Sequence, residues 1–216
     1  MTRRIKLHNL PSIRRLPRYL HLLKRLQQQG VAYVSAPKIA DVLGLAGIQV
    51  RKDLALTGIV GKPRVGYEVS ALVEAIVSHL GWDQTRQAVL VGAGSLGTAL
   101  LGYGGFTNFG LRIVSAFDAS PTLINREIHG ITIRPAHELG PFIEKNAIRI
   151  GILTVSPAAA QSVTDTMVNA GIRAIWNFVP APLTVPERVI IQNEDLACGL
   201  SVLSLKLDIA RTEAEK

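Results

Sequence analysis

Cysteine is almost absent from this chain. Cys198 stands alone among 216 residues, which excludes an intramolecular disulfide and leaves no cysteine cluster to ligate a metal. Its apolar neighbours favour packing over redox chemistry. Charge is also scarce, at 19% of residues against 48% hydrophobic, so the chain is expected to fold, with length for one large domain or two small ones. No run is long and apolar enough to span a membrane, so no membrane partner is expected. The start Met1-Thr2-Arg3-Arg4-Ile5-Lys6 lacks an apolar core, so no secretory signal is expected and the cytoplasm is the natural compartment. Acidic residues are rare in the first part: residues 1–79 hold 13 Lys and Arg against 4 Asp and Glu, a net +9. Residues 80–216 hold 11 against 12, a net −1. Such a split is expected of a nucleic-acid module followed by a neutral ligand domain.

The chemistry centres on Ala88-Val89-Leu90-Val91-Gly92-Ala93-Gly94-Ser95-Leu96-Gly97-Thr98. An apolar strand runs into G-x-G-x-x-G and a helix follows. In that setting Gly92 permits the tight turn, Gly94 lets backbone approach a pyrophosphate, and Gly97 lets helix pack against strand. Ala93, Ser95 and Leu96 supply the intervening backbone, and the helix N-terminus favours phosphate. A second apolar strand over 111–117 ends in Asp118, 26 positions after Gly92. That acid is placed to accept hydrogen bonds from the ribose diol and to repel the extra phosphate of NADP(H). The cofactor expected is therefore NAD(H).

Upstream, Pro17 suits the first turn of a helix carrying Tyr19, Leu20, Leu22, Leu23 and Leu26 and ending at Gly30. A short strand over 31–34 precedes Ser35, which can cap a helix running to Gly44. A glycine-bearing turn leads to a second helix over 48–57, which makes a helix-turn-helix. On it Val50 and Leu54 face the core, while Gln49, Arg51 and Lys52 offer an amide and two cations to a DNA groove. Residues 59–69 have the pattern of a basic hairpin carrying Lys62 and Arg64, so the module reads as a winged helix. Ser70 can cap the next helix, and 82–87 reads as the linker. Strands over 148–155, 172–178 and 189–192, with a helix over 158–170, continue the α/β alternation. A terminal helix over 196–209, rich in leucine, needs a partner surface.

The fold class is thus α/β: a winged-helix DNA-binding domain over 1–81, a Rossmann NAD(H)-binding domain over 82–194, and an apolar dimerisation helix within 195–216. In this order the parts resemble the redox-sensing transcriptional repressor Rex family. The resemblance rests on Arg15-Leu16-Pro17, Val50-Arg51-Lys52-Asp53-Leu54, Val65-Gly66-Tyr67, Val91 to Gly97, Phe117-Asp118, Ile152 to Val155, Ala170-Gly171-Ile172 and Asn177-Phe178-Val179-Pro180. It implies a homodimer that exchanges terminal helices, binds operator DNA when NADH is scarce and releases it when NADH binds. It also implies that Arg15 contacts DNA phosphate, that Arg51 and Lys52 contact the operator, and that Thr154, Val155, Asn177 and Phe178 lie nearer the nicotinamide. Tyr103 and Asp195 match positions that communicate cofactor state to the DNA-binding domain. The family's arginine partner for that acid is here His21. Two segments depart from the family. Its Asp-Leu-Ser-Tyr-Phe-Gly reads Asp53-Leu54-Ala55-Leu56-Thr57-Gly58, and its wing Gly-Lys-Arg-Gly-Val-Gly-Tyr reads Gly61-Lys62-Pro63-Arg64-Val65-Gly66-Tyr67.

Two rival readings stand beside this one. A small NAD-dependent oxidoreductase with a basic accessory domain would need an acid or base beside the nicotinamide, for which His129 and His137 are the candidates. Neither sits at a fingerprint strand end, and too few residues follow for a substrate domain. A repressor that senses another nucleotide, such as coenzyme A, is the other. No catalytic residue and no metal site are expected.

Overall fold

The computed structural model describes residues 10–214. The chain divides between Gln84 and Thr85 into two compact units.

In the first unit, α1 (Leu10–Gln28) buries Leu16, Tyr19, Leu20, Leu22 and Leu23 along one face. It begins seven residues before the expected start, and Pro17 lies inside it. Pro11, not Pro17, occupies the first turn. A proline in a helix interior costs about 3 kcal/mol because it cannot donate to the carbonyl four residues back. Burial of the flanking Leu16 and Tyr19, both fully enclosed, offsets that at about 1.5–3 kcal/mol for a large apolar side chain. Ser35 caps α2 (Ala36–Leu43) by accepting from the Lys38 N–H, and Gly44 ends it in the left-handed region. Then comes α3 (Gly47–Ala55).

The expected hairpin over 59–69 is not formed as two paired arms. Its only bridge joins Lys62 to Gly66, with Arg64 at φ 63° at the tip. The outgoing arm, β2 (Tyr67–Glu68), pairs antiparallel with β1 (Tyr33–Val34) instead. Gly66 makes this possible, since a Cβ there would overlap the Val34 carbonyl oxygen. Ser70 does not cap α4 (Val69–Leu80), which starts one residue earlier; its hydroxyl accepts from Gln27 Nε2 at 3.1 Å. Trp82 packs against the first unit's core, and Arg86 and Gln87 already belong to a strand, so the linker is shorter than 82–87.

The second unit is a seven-stranded sheet in the order β5-β6-β4-β3-β7-β8-β9. Strands β3 (Arg86–Val91), β4 (Leu111–Asp118), β6 (Ile131–Pro135), β7 (Ile150–Leu153), β8 (Ala174–Asn177) and β9 (Ile190–Asn193) run parallel. Only β5 (Glu127–Ile128) is antiparallel, paired with β6. The helices are α5 (Ser95–Leu101), α6 (Leu139–Asn146), α7 (Pro157–Asn169) and α8 (Leu196–Ala214). The two-residue period of β3 divides the core: Val89 and Val91 pack with Leu139, Ile143 and Met167, and Ala88 and Leu90 with Leu101, Ile133 and Ile152. The sequence pattern left β5, β6 and α6 unread. His129 and Gly130 join β5 to β6 with φ of 52° and 78°, the signature of a type I′ turn. The terminal helix runs five residues past the expected end, with Leu200, Leu203, Leu205 and Leu207 each more than 60% exposed. Among the described residues no helix is long and apolar enough to cross a membrane.

Candidate functional site

The sheet order is that of a doubly wound dinucleotide fold, whose ligands sit at the carboxyl ends of the strands where the order reverses. Here that switch point lies between β3 and β7. The fingerprint glycines divide the work there by space. Gly92 has φ 99° and a Cβ on it would stand 2.6 Å from the Thr154 carbonyl. A Cβ on Gly97 would overlap the Gly92 carbonyl oxygen, so α5 lies directly on the turn. Nothing comes within 4 Å of a Cβ at Gly94, which leaves its backbone open to a ligand. Ser95 and Leu96 begin α5, whose first-turn N–H groups have no partner within the helix.

Asp118 ends β4 beside this turn. Its Oδ2 accepts from the Ala93 N–H and its Oδ1 from the Ser120 N–H, both at 2.7 Å. An ionised carboxylate has about four acceptor sites, so two bonds fix its orientation and others remain for hydroxyl donors. Thr154, just past β7, donates from Oγ1 to the Gly92 carbonyl at 2.7 Å and from its N–H to Val91 at 2.9 Å. It thus ties the end of β7 to the fingerprint turn. Val155 is half-buried beside it. Asn177 is buried and spends its amide on its surroundings: Nδ2 donates to Asn193 Oδ1 at 2.8 Å and to the Val179 carbonyl, while Oδ1 accepts from the Val179 N–H. It brackets the edge of the site and does not project into it. Phe178 follows, half-buried, its N–H bonded to the Leu153 carbonyl.

Sequence reasoning missed an aromatic series on the same unit. Tyr103, half-exposed, meets Phe106 at 4.8 Å between ring centroids, Phe106 meets Trp176 at 5.5 Å, and Trp176 meets Phe178 at 4.9 Å. Trp176 Nε1 donates to Glu194 Oε1 at 3.0 Å, next to Asp195, whose Oδ1 accepts from the Ala197 N–H at the start of α8. Spacing carries no signal for contacts so distant in sequence. His129 occupies the type I′ turn at the amino end of β6, the edge opposite the ligand side, against Gly102. His137 lies in a short 3-10 helix after β6, away from the switch point. Among the described residues no cluster of three or more His, Cys, Asp or Glu could hold a metal.

In the first unit the chemistry gathers on Asp53 of α3, fully buried. Arg15 of α1 grips both its oxygens, Nε at 2.6 Å and Nη2 at 2.8 Å. The Tyr19 hydroxyl donates to Oδ2, and Gln49 Nε2 to Oδ1 at 2.8 Å. Burial alone would raise the Asp53 pKa, but the hydrogen bonds from Arg15, Tyr19 and Gln49 outweigh it and hold it at about 2. Burial and the same carboxylate push the Tyr19 phenol up to about 12. Arg15 and Gln49 therefore both reach inward, whereas Arg51 and Lys52 are exposed on α3. Lys62 Nζ donates to the Tyr33 hydroxyl at 3.1 Å, which raises the lysine's pKa, and Arg64 is exposed at the turn's tip. His21 is exposed on α1.

Two family models match the chain: "Putative DNA-binding protein N-terminus" over 10–55 and "CoA binding domain" over 83–181. The redox-sensing transcriptional repressor Rex of Treponema denticola is 47% identical over 198 residues, covering 92% of this chain and 94% of the relative. That of Bacteroides thetaiotaomicron is 42% identical, covering 92% and 90%. Among solved structures, RSP, a Rex-family repressor, in complex with NAD+ and operator DNA has a TM-score of 0.87 at 34% identity, covering 95% of each chain. RSP in complex with NADH has a TM-score of 0.87 at 33% identity, covering 99% of each.

Proposed function

The chain belongs to the Rex family of redox-sensing transcriptional repressors, and we propose that it performs that role with the cradle and the basic helix described above. It is a repressor that senses NAD(H), not an enzyme. In this reading residues 1–81 bind operator DNA, 82–194 bind the dinucleotide, and the helix within 195–216 joins two copies into a homodimer. A symmetric dimer presents two recognition helices to two half-sites, and the exposed leucines of α8 supply an apolar surface for it. A repressor must reach its operator, which supports a cytoplasmic location.

We assign Gly92, Ala93, Gly94, Ser95, Leu96 and Gly97 to the pyrophosphate and Asp118 to the adenosine ribose, with Thr154, Val155, Asn177 and Phe178 shaping the nicotinamide side. Arg51, Lys52 and Arg64 are exposed cations that can meet DNA, and Lys62 meets it with the donors that Tyr33 leaves over. Arg15 and Gln49 act chiefly through Asp53, and any phosphate contact they make uses the N–H groups that Asp53 leaves over. By the resemblance, His21, Tyr103 and Asp195 are the residues we assign to the switch.

The observation that carries the ligand assignment is the Asp118 carboxylate held beside the open backbone at Gly94. A 2′-phosphate would meet its charge, and so would the ribose 3′-phosphate of coenzyme A, the ligand that the family model's description suggests. The test is DNA binding at one fixed salt concentration, since electrostatic affinity depends steeply on salt, with NADH, NAD+, NADPH and coenzyme A titrated separately. Release by NADH at concentrations where NADPH and coenzyme A do nothing supports the reading. Release by coenzyme A alone would replace it.

A further inference from the structure

We propose that Ile48 is a specificity-determining residue of the recognition helix and that it reads the C5-methyl group of a thymine in the operator's major groove. The inference rests on the reading of α3 as the DNA-recognition helix.

The polar groups at the start of α3 are already engaged. Gln49 is turned toward Asp53 at 2.8 Å, and Arg15 spends two donors on the same carboxylate. What α3 presents outward is Ile48, Arg51, Lys52 and Ala55, all exposed. Their spacing of i, i+3, i+4 and i+7 places them on one stripe of a helix, opposite the buried Val50 and Leu54. Two cations thus lie between two apolar side chains. Ile48 stands in the first turn, where recognition helices make base contacts, and is 60% exposed.

A branched aliphatic side chain has little to gain from phosphates or from the donors and acceptors of base edges. The apolar feature of the major groove is the thymine methyl, which guanine, adenine and cytosine lack. Arg51 and Lys52 can bond phosphates or guanine, so the stripe matches a groove in which a thymine neighbours charged or guanine contacts. Ala55, at the far end, offers only one methyl and is the weaker candidate.

Uracil in place of thymine removes that methyl and preserves Watson–Crick pairing. A preferred duplex would first be selected with the full-length protein from a pool of short randomised duplexes. Each thymine would then be replaced singly by deoxyuridine, and binding measured for wild type and Ile48→Ala. Ile48 is largely exposed, so the variant should keep the wild-type melting temperature. Burying one methyl predicts a loss of about fourfold in wild-type affinity at one thymine per half-site, and no loss at that thymine for Ile48→Ala. Equal responses of the two proteins at every thymine would overturn the inference while leaving DNA binding intact. Failure of the wild type to enrich any duplex would overturn the DNA-binding reading and this inference together.

Discussion

Asp53→Ala should be the most damaging single substitution in the first unit. Asp53 is fully buried and accepts four hydrogen bonds, two from Arg15, one from Tyr19 and one from Gln49. Removing it leaves a guanidinium and a phenol hydroxyl facing a void. Breaking a buried ion pair from one side costs about 3–5 kcal/mol; with Arg15 23% exposed water can reach the guanidinium, so the lower end of that range applies, still a large share of the 5–15 kcal/mol typical of a whole domain. Replacing the pair together, Arg15→Met with Asp53→Leu, removes both charges and leaves only the neutral Tyr19 hydroxyl and Gln49 amide without their acceptor, so it should cost less than Asp53→Ala. The same pair sets an acid limit. The folded pKa of about 2 lies below the ordinary 3.8, so the carboxylate's contribution is complete above about pH 4 and is lost as pH falls through about 2, a change of about 2 kcal/mol. The chain has two tryptophans, Trp82 in the first unit's core and Trp176 in the second. In a Trp176→Phe background Trp82 fluorescence reports urea unfolding of the first unit alone, which avoids treating two units as one transition. A cost under about 1 kcal/mol for Asp53→Ala, or an acid transition unchanged in the double replacement, would refute the reasoning.

Asp118→Ser should weaken NADH binding and narrow the gap to NADPH, read by titration calorimetry; an unchanged gap would mean that the acid does not face the ribose. Gly97→Ala should abolish NADH binding and lower the second unit's stability, because its Cβ overlaps the Gly92 carbonyl, and full binding with unchanged melting would contradict the packing. Arg51→Ala and Lys52→Ala should weaken DNA binding and spare NADH binding. A base contact would cost about 1–3 kcal/mol at one operator position, and a phosphate contact would act evenly and reduce the salt slope. Sedimentation at micromolar concentration should show a homodimer, and a monomer would remove the role assigned to α8.

The parts that were legible in sequence are those whose cause is local. The fingerprint is one such part: an apolar strand, three glycines and an acid at the next strand's end are all dictated within one βαβ unit. The Ser35 cap and the Gly44 stop are local in the same way. Long-range partners were illegible. The arm after the basic turn could pair with its own other half or with an earlier strand, and only the close approach of Gly66 to Val34 decides for the latter. Pro17 reads as a helix start by its own preference, but burial of Leu16 and Tyr19 overrides that preference. The inward reach of Arg15 and Gln49 was hidden because helical spacing places a side chain on a face and says nothing of a distant acceptor. One signal was present: Asp53 is an acid adjoining the buried Leu54 in an otherwise basic stretch, and a carboxylate on an apolar face must be paired.

That pairing also bears on how the two units divide the chemistry. Because Arg15 neutralises Asp53, the positive field of the first unit comes from side chains that remain outside, among them Arg51, Lys52 and Arg64. The second unit, close to neutral, reads its ligand by shape and by one carboxylate. Affinity for DNA therefore rests largely on salt-sensitive charge, and selection of the dinucleotide on steric fit together with one carboxylate. A substitution in either unit should alter its own ligand's affinity directly and the other's only through the coupling between sites, which must be equal in both directions. Measuring that coupling in Asp118→Ser and in Arg51→Ala separates loss of contact from loss of communication.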